Sequence, residues 1–214
     1  ALPNRSITLA IHKKHGEIMN DKPFFSDLIS TIQQEALQYS YNLNVLHYKL
    51  LQNKELYLDT LRAEDNKGII LLATELDQED FDIYKKIEKP LILLDSVYSA
   101  VRLNAVTINN RGSVFQAVRY AYNLGHRSIG YLKSLTHISN FNQRFEGYRS
   151  ALKYYNIEQN YHPVFELPCS IEESCQEMKK ILHSTSGIQM PTIFLSDLDY
   201  IALGAAKALK ESGY

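Results

Sequence analysis

The feature that most constrains this chain is a regular alternation of short apolar runs with longer amphipathic stretches. The run Ile69-Ile70-Leu71-Leu72-Ala73 is apolar at every position, which is typical of a strand buried on both faces of a parallel sheet. We predict eight such strands, at Ile7–Ile11, Leu43–His47, Gly68–Ala73, Leu91–Leu94, Val106–Ile108, Ser128–Leu132, His162–Phe165 and Thr192–Leu195.

The segments between these runs have the 3.6-residue period of amphipathic helices. In Phe24–Tyr39 the apolar positions from Phe25 to Leu37 fall on one face, and Val114–Leu124 repeats the pattern. Gly125 then supplies a residue that can close a helix in the left-handed conformation. Strands that alternate with helices in this way predict a doubly wound α/β architecture.

The count of strands predicts two similar lobes. Four or five of the predicted strands precede Asn109, and three follow it. We therefore expect an amino-terminal lobe at residues 1–108 and a carboxyl-terminal lobe at residues 109–214, with the chain crossing between them near residue 108.

Composition argues against several classes of protein. The formal net charge is −1, whereas a nucleic-acid-binding domain typically carries an excess of positive charge. Cys169 and Cys175 are the two cysteines, too few for a disulfide framework and expected to be free thiols. No apolar run approaches the roughly 20 residues that span a bilayer, and the first residues lack a signal-peptide pattern. These features favour a cytoplasmic protein that does not contact membranes.

Polar side chains follow the predicted strands where each strand ends. In open parallel sheets, ligands bind in the crevice beyond the carboxyl ends of the strands. Hydroxyl, amide and carboxylate groups there suit a neutral, polyhydroxylated ligand. Turns favour Ser, Asn and Asp for conformational reasons as well, so that alternative stays open. The residues concerned are His12, Thr74, Asp95, Ser96, Asn109, Asn110, Lys133, Ser134, Ser196 and Asp197.

Arg144 is the most discriminating of the candidate ligand-binding residues. We predict that it lies in the first turn of a helix running from about Asn142 to Tyr155, where a cation opposes the helix dipole. A partner across the crevice, either a ligand oxygen or a carboxylate, would explain its position, and a solvated surface arginine is the alternative. Gly147 costs roughly 1 kcal/mol in a helix interior, which predicts close packing of this helix on a strand.

Three further residues are candidates at the ligand site of the first lobe. Asp95 closes the apolar run Leu91–Leu94, so we expect its carboxylate to be only partly solvated, although an Asx turn or a helix cap would also account for it. Phe24 and Phe25 follow Pro23 at the start of a helix. One of them could present its ring to a ligand, and core packing of both is the alternative.

Enzyme and metal motifs are not found in the sequence. There is no Gly-x-Ser-x-Gly elbow, phosphate-binding glycine loop or dinucleotide fingerprint. His12 and His15 bracket two lysines in a predicted loop, and no third ligand completes a metal pattern around them or around the cysteines. We therefore expect a protein that is not an enzyme and that holds neither metal nor cofactor.

Two motifs carry a resemblance to a known family. They are Leu124-Gly125-His126-Arg127-Ser128-Ile129-Gly130 and, after a polar loop, Arg144-Phe145-Glu146-Gly147-Tyr148-Arg149-Ser150-Ala151-Leu152. Together with Lys22-Pro23-Phe24-Phe25 and Leu93-Leu94-Asp95, they resemble in order and spacing the effector domain of LacI/GalR transcription regulators. The resemblance covers roughly residues 5–214.

This resemblance implies two Rossmann-like lobes around a cleft, as in periplasmic sugar-binding proteins. It implies a homodimer that binds a small effector, often a sugar or purine, and so modulates binding of operator DNA through a helix-turn-helix. If the roles of the family's site residues apply to the matching positions here, Arg144 would hydrogen-bond the effector and Asp95 would accept hydrogen bonds from the effector's hydroxyls. Phe24 or Phe25 would wall the pocket, and Asn140 would add a polar contact.

The sequence departs from the family pattern in two respects. The Asn-Asp pair of the family is Leu198-Asp199 here, and we expect Asp197 to replace the lost amide contact. The helix-turn-helix and the end of the second lobe are not among the 214 residues, so we expect the effector domain of a longer regulator. An extracytoplasmic sugar-binding receptor of a transporter is the alternative function, and an enzyme on the same scaffold is a weaker one.

Overall fold

The computed structural model describes residues 5–16, 18, 23–49, 54–98, 102–184 and 189–214. Each of the eight predicted strands is confirmed to within two residues at either end. The strands are β1 Ser6–Lys13, β2 Asn42–Lys49, β3 Asn66–Leu72, β4 Leu91–Leu94, β5 Asn104–Val106, β6 Ile129–Ser134, β7 Val164–Leu167 and β8 Ile193–Ser196. β5 begins two residues before its predicted position because Asn104, Ala105 and Val106 are the residues that pair with β4.

Six α-helices and one 3₁₀ helix connect the strands in the described part of the chain. The helices are α1 Pro23–Gln38, α2 Lys54–Arg62, α3 Asn110–Asn123, α4 Ser139–Tyr154, α5 Ile171–Ser184 and α6 Asp199–Glu211, and the 3₁₀ helix is Asp80–Ile83. None of the described helices is long and apolar enough to cross a membrane.

Local sequence explains where two of these helices begin and end. Pro23 starts α1, a position where its missing N–H costs nothing. The side chain of Asn109 caps α3 by accepting a hydrogen bond from Gly112 N at 3.0 Å, and Gly125 closes that helix with φ of +93°. One prediction for α1 is wrong, because Leu37 is 60% exposed rather than on the buried face.

The chain divides into two compact units, the first ending at Ile108 and the second beginning at Asn109. In the first unit, five parallel strands lie in the order β2-β1-β3-β4-β5. One hydrophobic cluster joins this sheet to α2 and to the 3₁₀ helix, and it includes Leu61, Leu71 and Leu93. This order is that of an open doubly wound sheet, as the sequence predicted.

The second unit contains three parallel strands in the order β7-β6-β8. Its core lies where Tyr131 of β6 packs against α3 and α4, and it includes Val118, Tyr148 and Ala151. Gly147 allows α3 and α4 to approach closely, since a Cβ atom at this position would overlap the carbonyl oxygen of Arg111. The expectation that Gly147 packs on a strand is therefore wrong.

Two further predictions about local structure are also wrong. α4 begins at Ser139, three residues before the predicted start, so Arg144 lies in its second turn and not in its first. His12 belongs to β1 and is buried, whereas the sequence placed it in a loop.

Candidate functional site

The carboxyl ends of β3 and β4 are joined by a buried pair of side chains. Asp95 directly follows β4, and its Oδ2 accepts a hydrogen bond of 2.7 Å from the Thr74 hydroxyl beyond β3. Asp95 adopts the left-handed conformation with φ of +65°, which aspartate tolerates better than most residues. Its side chain is buried and not partly solvated as expected.

Glu75, next to Thr74, fixes the segment that follows β1. Its carboxylate is 2% exposed, and Oε2 accepts hydrogen bonds from the backbone N–H groups of Lys14, His15 and Gly16 at 3.0, 2.9 and 2.7 Å. Oε1 accepts a fourth, from Ile18 N at 3.2 Å. The sequence analysis missed this residue, although it directly follows Thr74, which was named as a polar residue beyond a strand end.

Phe24 and Phe25 have different environments at the start of α1. Phe25 is 7% exposed and belongs to the core, whereas Phe24 is 51% exposed. Their rings meet edge to face, with centroids 5.1 Å apart. The buried Phe25 ring therefore holds the ring of Phe24 at the surface.

His12 lies within a cluster of aromatic side chains near the end of β1. Its ring stacks on Tyr48 with centroids 4.9 Å apart, and Nδ1 lies 3.0 Å from the Tyr84 hydroxyl. Burial lowers the pKa of His12 to about 4, against the opposing effect of Asp80, whose Oδ2 is 4.0 Å from Nε2. The imidazole is therefore neutral near pH 7. Among the described residues, no group of three or more potential ligands could hold a metal ion.

In the second unit, Arg144 is held by groups from two other elements. Its Nε donates a 2.8 Å hydrogen bond to Oδ1 of Asn110 at the start of α3, and Nη1 donates to the backbone carbonyl of Asp197, beyond β8. These bonds use two of the five N–H donors of the guanidinium, and the side chain is only half-buried. Arg144 therefore has fixed partners within its own unit and further donors available.

Asp197 contacts Arg144 through its main chain, while its carboxylate points into the unit. The side chain is 1% exposed. Oδ1 accepts a 2.5 Å hydrogen bond from the Tyr131 hydroxyl, and Oδ2 accepts a 2.8 Å bond from Ser134 N. Burial raises the pKa of the Asp197 carboxyl, and the bonds from Tyr131 and Ser134 oppose the rise. Sequence reasoning missed Tyr131, which reads as an ordinary core residue of a strand.

Other polar groups gather at the same edge of the second sheet. Asn140 is buried in the first turn of α4, one helical turn before Arg144. The Ser134 hydroxyl lies 3.0 Å from Sγ of Cys169, and neither Cys169 nor Cys175 is in a disulfide bond. This edge therefore combines a cation with amide, hydroxyl and thiol groups, which is a set suited to binding a polar small molecule.

Comparison with known proteins gives a consistent result. A family model described as periplasmic binding proteins and sugar binding domain of LacI family matches residues 9–214. Catabolite control protein A of Priestia megaterium is 24% identical over 192 residues, covering 89% of this chain and 57% of that protein. The transcriptional repressor PurR of Actinobacillus pleuropneumoniae serotype 5b is 21% identical over 212 residues, covering 98% and 62%.

Solved structures share the fold. A LacI family transcriptional regulator from Enterococcus faecium, with bound ribose, superposes with a TM-score of 0.72 at 22% identity, covering 96% of this chain and 72% of that one. The chain thus spans about three-fifths of the length of the two regulators compared by sequence.

Proposed function

Because the chain belongs to the family of periplasmic binding proteins and sugar-binding domains of the LacI family, we propose that it is the effector-sensing and dimerisation domain of a transcription regulator. The effector is a small, sugar-like molecule, and its binding modulates the affinity of the regulator for operator DNA. The domain is not an enzyme and uses no cofactor.

The observation that carries this proposal is the way in which Arg144 is held by hydrogen bonds. The guanidinium is fixed by Asn110 and by the Asp197 carbonyl at the carboxyl edge of the second sheet, and it keeps donors for a further acceptor. An arginine held in this way is preorganised, so a ligand that binds it does not have to order a flexible side chain. We assign to Arg144 the hydrogen bonds to the effector.

The remaining candidates receive narrower roles. Phe24 supplies an exposed ring as a wall of the effector site, while Phe25 supports that ring from the core. Asp95 and Asn140 supply polar contacts to the effector. Asp197 contributes its main-chain carbonyl to Arg144, which replaces the direct side-chain contact expected from the sequence.

The activity of the whole regulator extends beyond residues 1–214. We propose that it acts as a homodimer in the cytoplasm and binds operator DNA through a helix-turn-helix outside these residues, which agrees with their net charge of −1. The two proteins compared by sequence are a catabolite control protein and a transcriptional repressor. This similarity favours a regulator over the extracytoplasmic receptor of a transporter.

The first experiment is a thermal-shift screen of the purified protein against ribose, glucose, cellobiose and adenosine. A ligand at 100 times its Kd stabilises the folded state by about 2.7 kcal/mol, which is readily measured. We expect Arg144→Ala to abolish the shift and Arg149→Ala to retain it, since Arg149 is an exposed arginine of the same helix. A full ligand-induced shift in the Arg144→Ala protein would refute the assignment.

A gel-shift assay tests the regulatory part of the proposal. The full-length gene product should lose or gain affinity for its operator when the stabilising ligand is added. An operator affinity that does not respond to any ligand of the panel would count against an effector-sensing regulator.

A further inference from the structure

The segment that follows β1 lies at the carboxyl edge of the first sheet, where ligands of doubly wound folds bind. Four of its backbone N–H groups, those of Lys14, His15, Gly16 and Ile18, lie beyond the hydrogen-bonding ladder of β1, which ends at Lys13. Backbone donors in buried positions need an acceptor. The Glu75 carboxylate accepts from all four.

The contacts of Glu75 differ from those of an ordinary surface ion pair. Successive N–H groups that converge on one anion form a concave binding site for it, and hydrogen bonds to a charged acceptor are roughly twice as strong as neutral ones. A second link joins the same two segments, in which the Lys14 ammonium contacts Asp77 and Asp80. That link is partly exposed to solvent, so we expect it to contribute little.

We propose that Glu75 is a positioning residue for the effector site: its buried carboxylate holds residues 14–16 and 18 in the conformation that receives the ligand. The effect on affinity rests on the proposed function, whereas the effect on the conformation of the segment does not. Glu75 acts through the backbone, and no contact between its side chain and the effector is required.

Hydrogen exchange tests the structural part of this proposal. In Glu75→Ala, the amides of Gly16 and Ile18 should exchange at least about tenfold faster than in the wild type, because their acceptor is lost. The amides of Leu9 to Ile11 in β1 should keep their protection. Lys14→Ala removes only the exposed link and should leave the amides of Gly16 and Ile18 protected. Unchanged exchange in Glu75→Ala would overturn the proposal.

The effect on affinity is tested by titration, using the ligand of the panel that stabilises the wild type the most. We expect Glu75→Ala to weaken binding by about tenfold or more and Glu75→Gln to restore part of the loss, since the amide oxygen can still accept hydrogen bonds. Leu61→Ala serves as the stability control, because it opens a cavity in the core of the same unit and should lower the melting temperature without changing the affinity of the folded protein.

The outcomes separate this proposal from the proposed function. An equal loss of affinity in Leu61→Ala and Glu75→Ala would overturn the positioning role. If no sugar or nucleoside stabilises the wild type, the proposed effectors fail, and the exchange measurement alone decides whether Glu75 holds the segment.

Discussion

Replacing Tyr131 by phenylalanine removes one hydroxyl from the interior of the second unit and leaves Oδ1 of Asp197 without its 2.5 Å donor. The aromatic ring remains, so its packing against Phe145 and Tyr148 is kept. The variant therefore isolates a single hydrogen bond to the buried carboxylate of Asp197, the residue whose backbone carbonyl accepts a hydrogen bond from Arg144.

The same hydrophobic core provides a matched control. The hydroxyl of Tyr148, which is also buried, donates a 2.7 Å hydrogen bond to the carbonyl of Ile129. A bond to a neutral carbonyl contributes about 0.5–1.5 kcal/mol, and a bond to a charged group about 1.5–3 kcal/mol. We expect Tyr131→Phe to lower the free energy of unfolding at pH 7 by about 1 kcal/mol more than Tyr148→Phe does.

The difference between the variants should also depend on pH. The hydroxyl of Tyr131 opposes the rise in the pKa of Asp197 that burial causes, so its removal raises that pKa further. A folded-state pKa above the unfolded value of 3.8 means that stability falls as the pH rises through the folded value. The free energy of unfolding that Tyr131→Phe loses beyond the loss in Tyr148→Phe should therefore be greatest near neutrality and smallest near pH 4.

Urea unfolding of the wild type and both variants at about pH 4.5, 6 and 7.5 measures the free energies of unfolding and their dependence on pH. Equal losses of stability in the two variants, or a Tyr131→Phe cost that does not change with pH, would refute the account of Asp197 given above. In the ligand screen, Tyr131→Phe should reduce the thermal shift, while Tyr148→Phe should retain it.

Two further predictions concern packing and pH. Gly147→Ala places a methyl group against the Arg111 carbonyl, so α3 and α4 must move apart. Calorimetry should show that the free energy of unfolding falls by about 1–3 kcal/mol, whereas the same substitution at a solvent-exposed helix site would raise it. His12, with its pKa lowered to about 4, makes the folded state bind fewer protons than the unfolded state between about pH 4 and 6.5. Stability should therefore fall as the pH is lowered through that window, by up to about 3 kcal/mol, and His12→Asn should lose this dependence in urea titrations.

The strands could be predicted from the sequence because burial on both faces leaves an almost unbroken apolar run. Ile69 and Leu71 of β3 are both buried, and Ile70 between them is half-buried, so the pattern reflects the fold directly. Helix α5 was expected only as one of the segments between strands, without bounds, although its start can be found in the sequence. The Ser170 hydroxyl accepts a hydrogen bond from Glu173 N, as in a capping box, and donates one to the Glu173 carboxylate. The Ser-x-x-Glu spacing of these two residues is the sequence signature of such a helix start.

The partners of the site residues could not be predicted in the same way. Arg144 is bonded to residues 34 and 53 positions away. The order of the strands in the sheet brings these residues together, and no local sequence pattern predicts that order. The sequence pointed to Asp197 as a residue of the site but not to the direction of its side chain. That direction follows from the hydrogen bonds that the carboxylate accepts from the Tyr131 hydroxyl and from Ser134 N, both of β6.

The bond between Arg144 and Asn110 links the candidate ligand-binding residue to the very start of the second unit. Asn110 is the second residue after the point where the chain leaves the first unit, and it is the first residue of α3, whose cap is the neighbouring Asn109. One 2.8 Å hydrogen bond thus joins the guanidinium to the residue that begins the first helix of the second unit. The side chain that we expect to bind the ligand therefore also fixes the second residue after the point where the chain passes from one unit to the other.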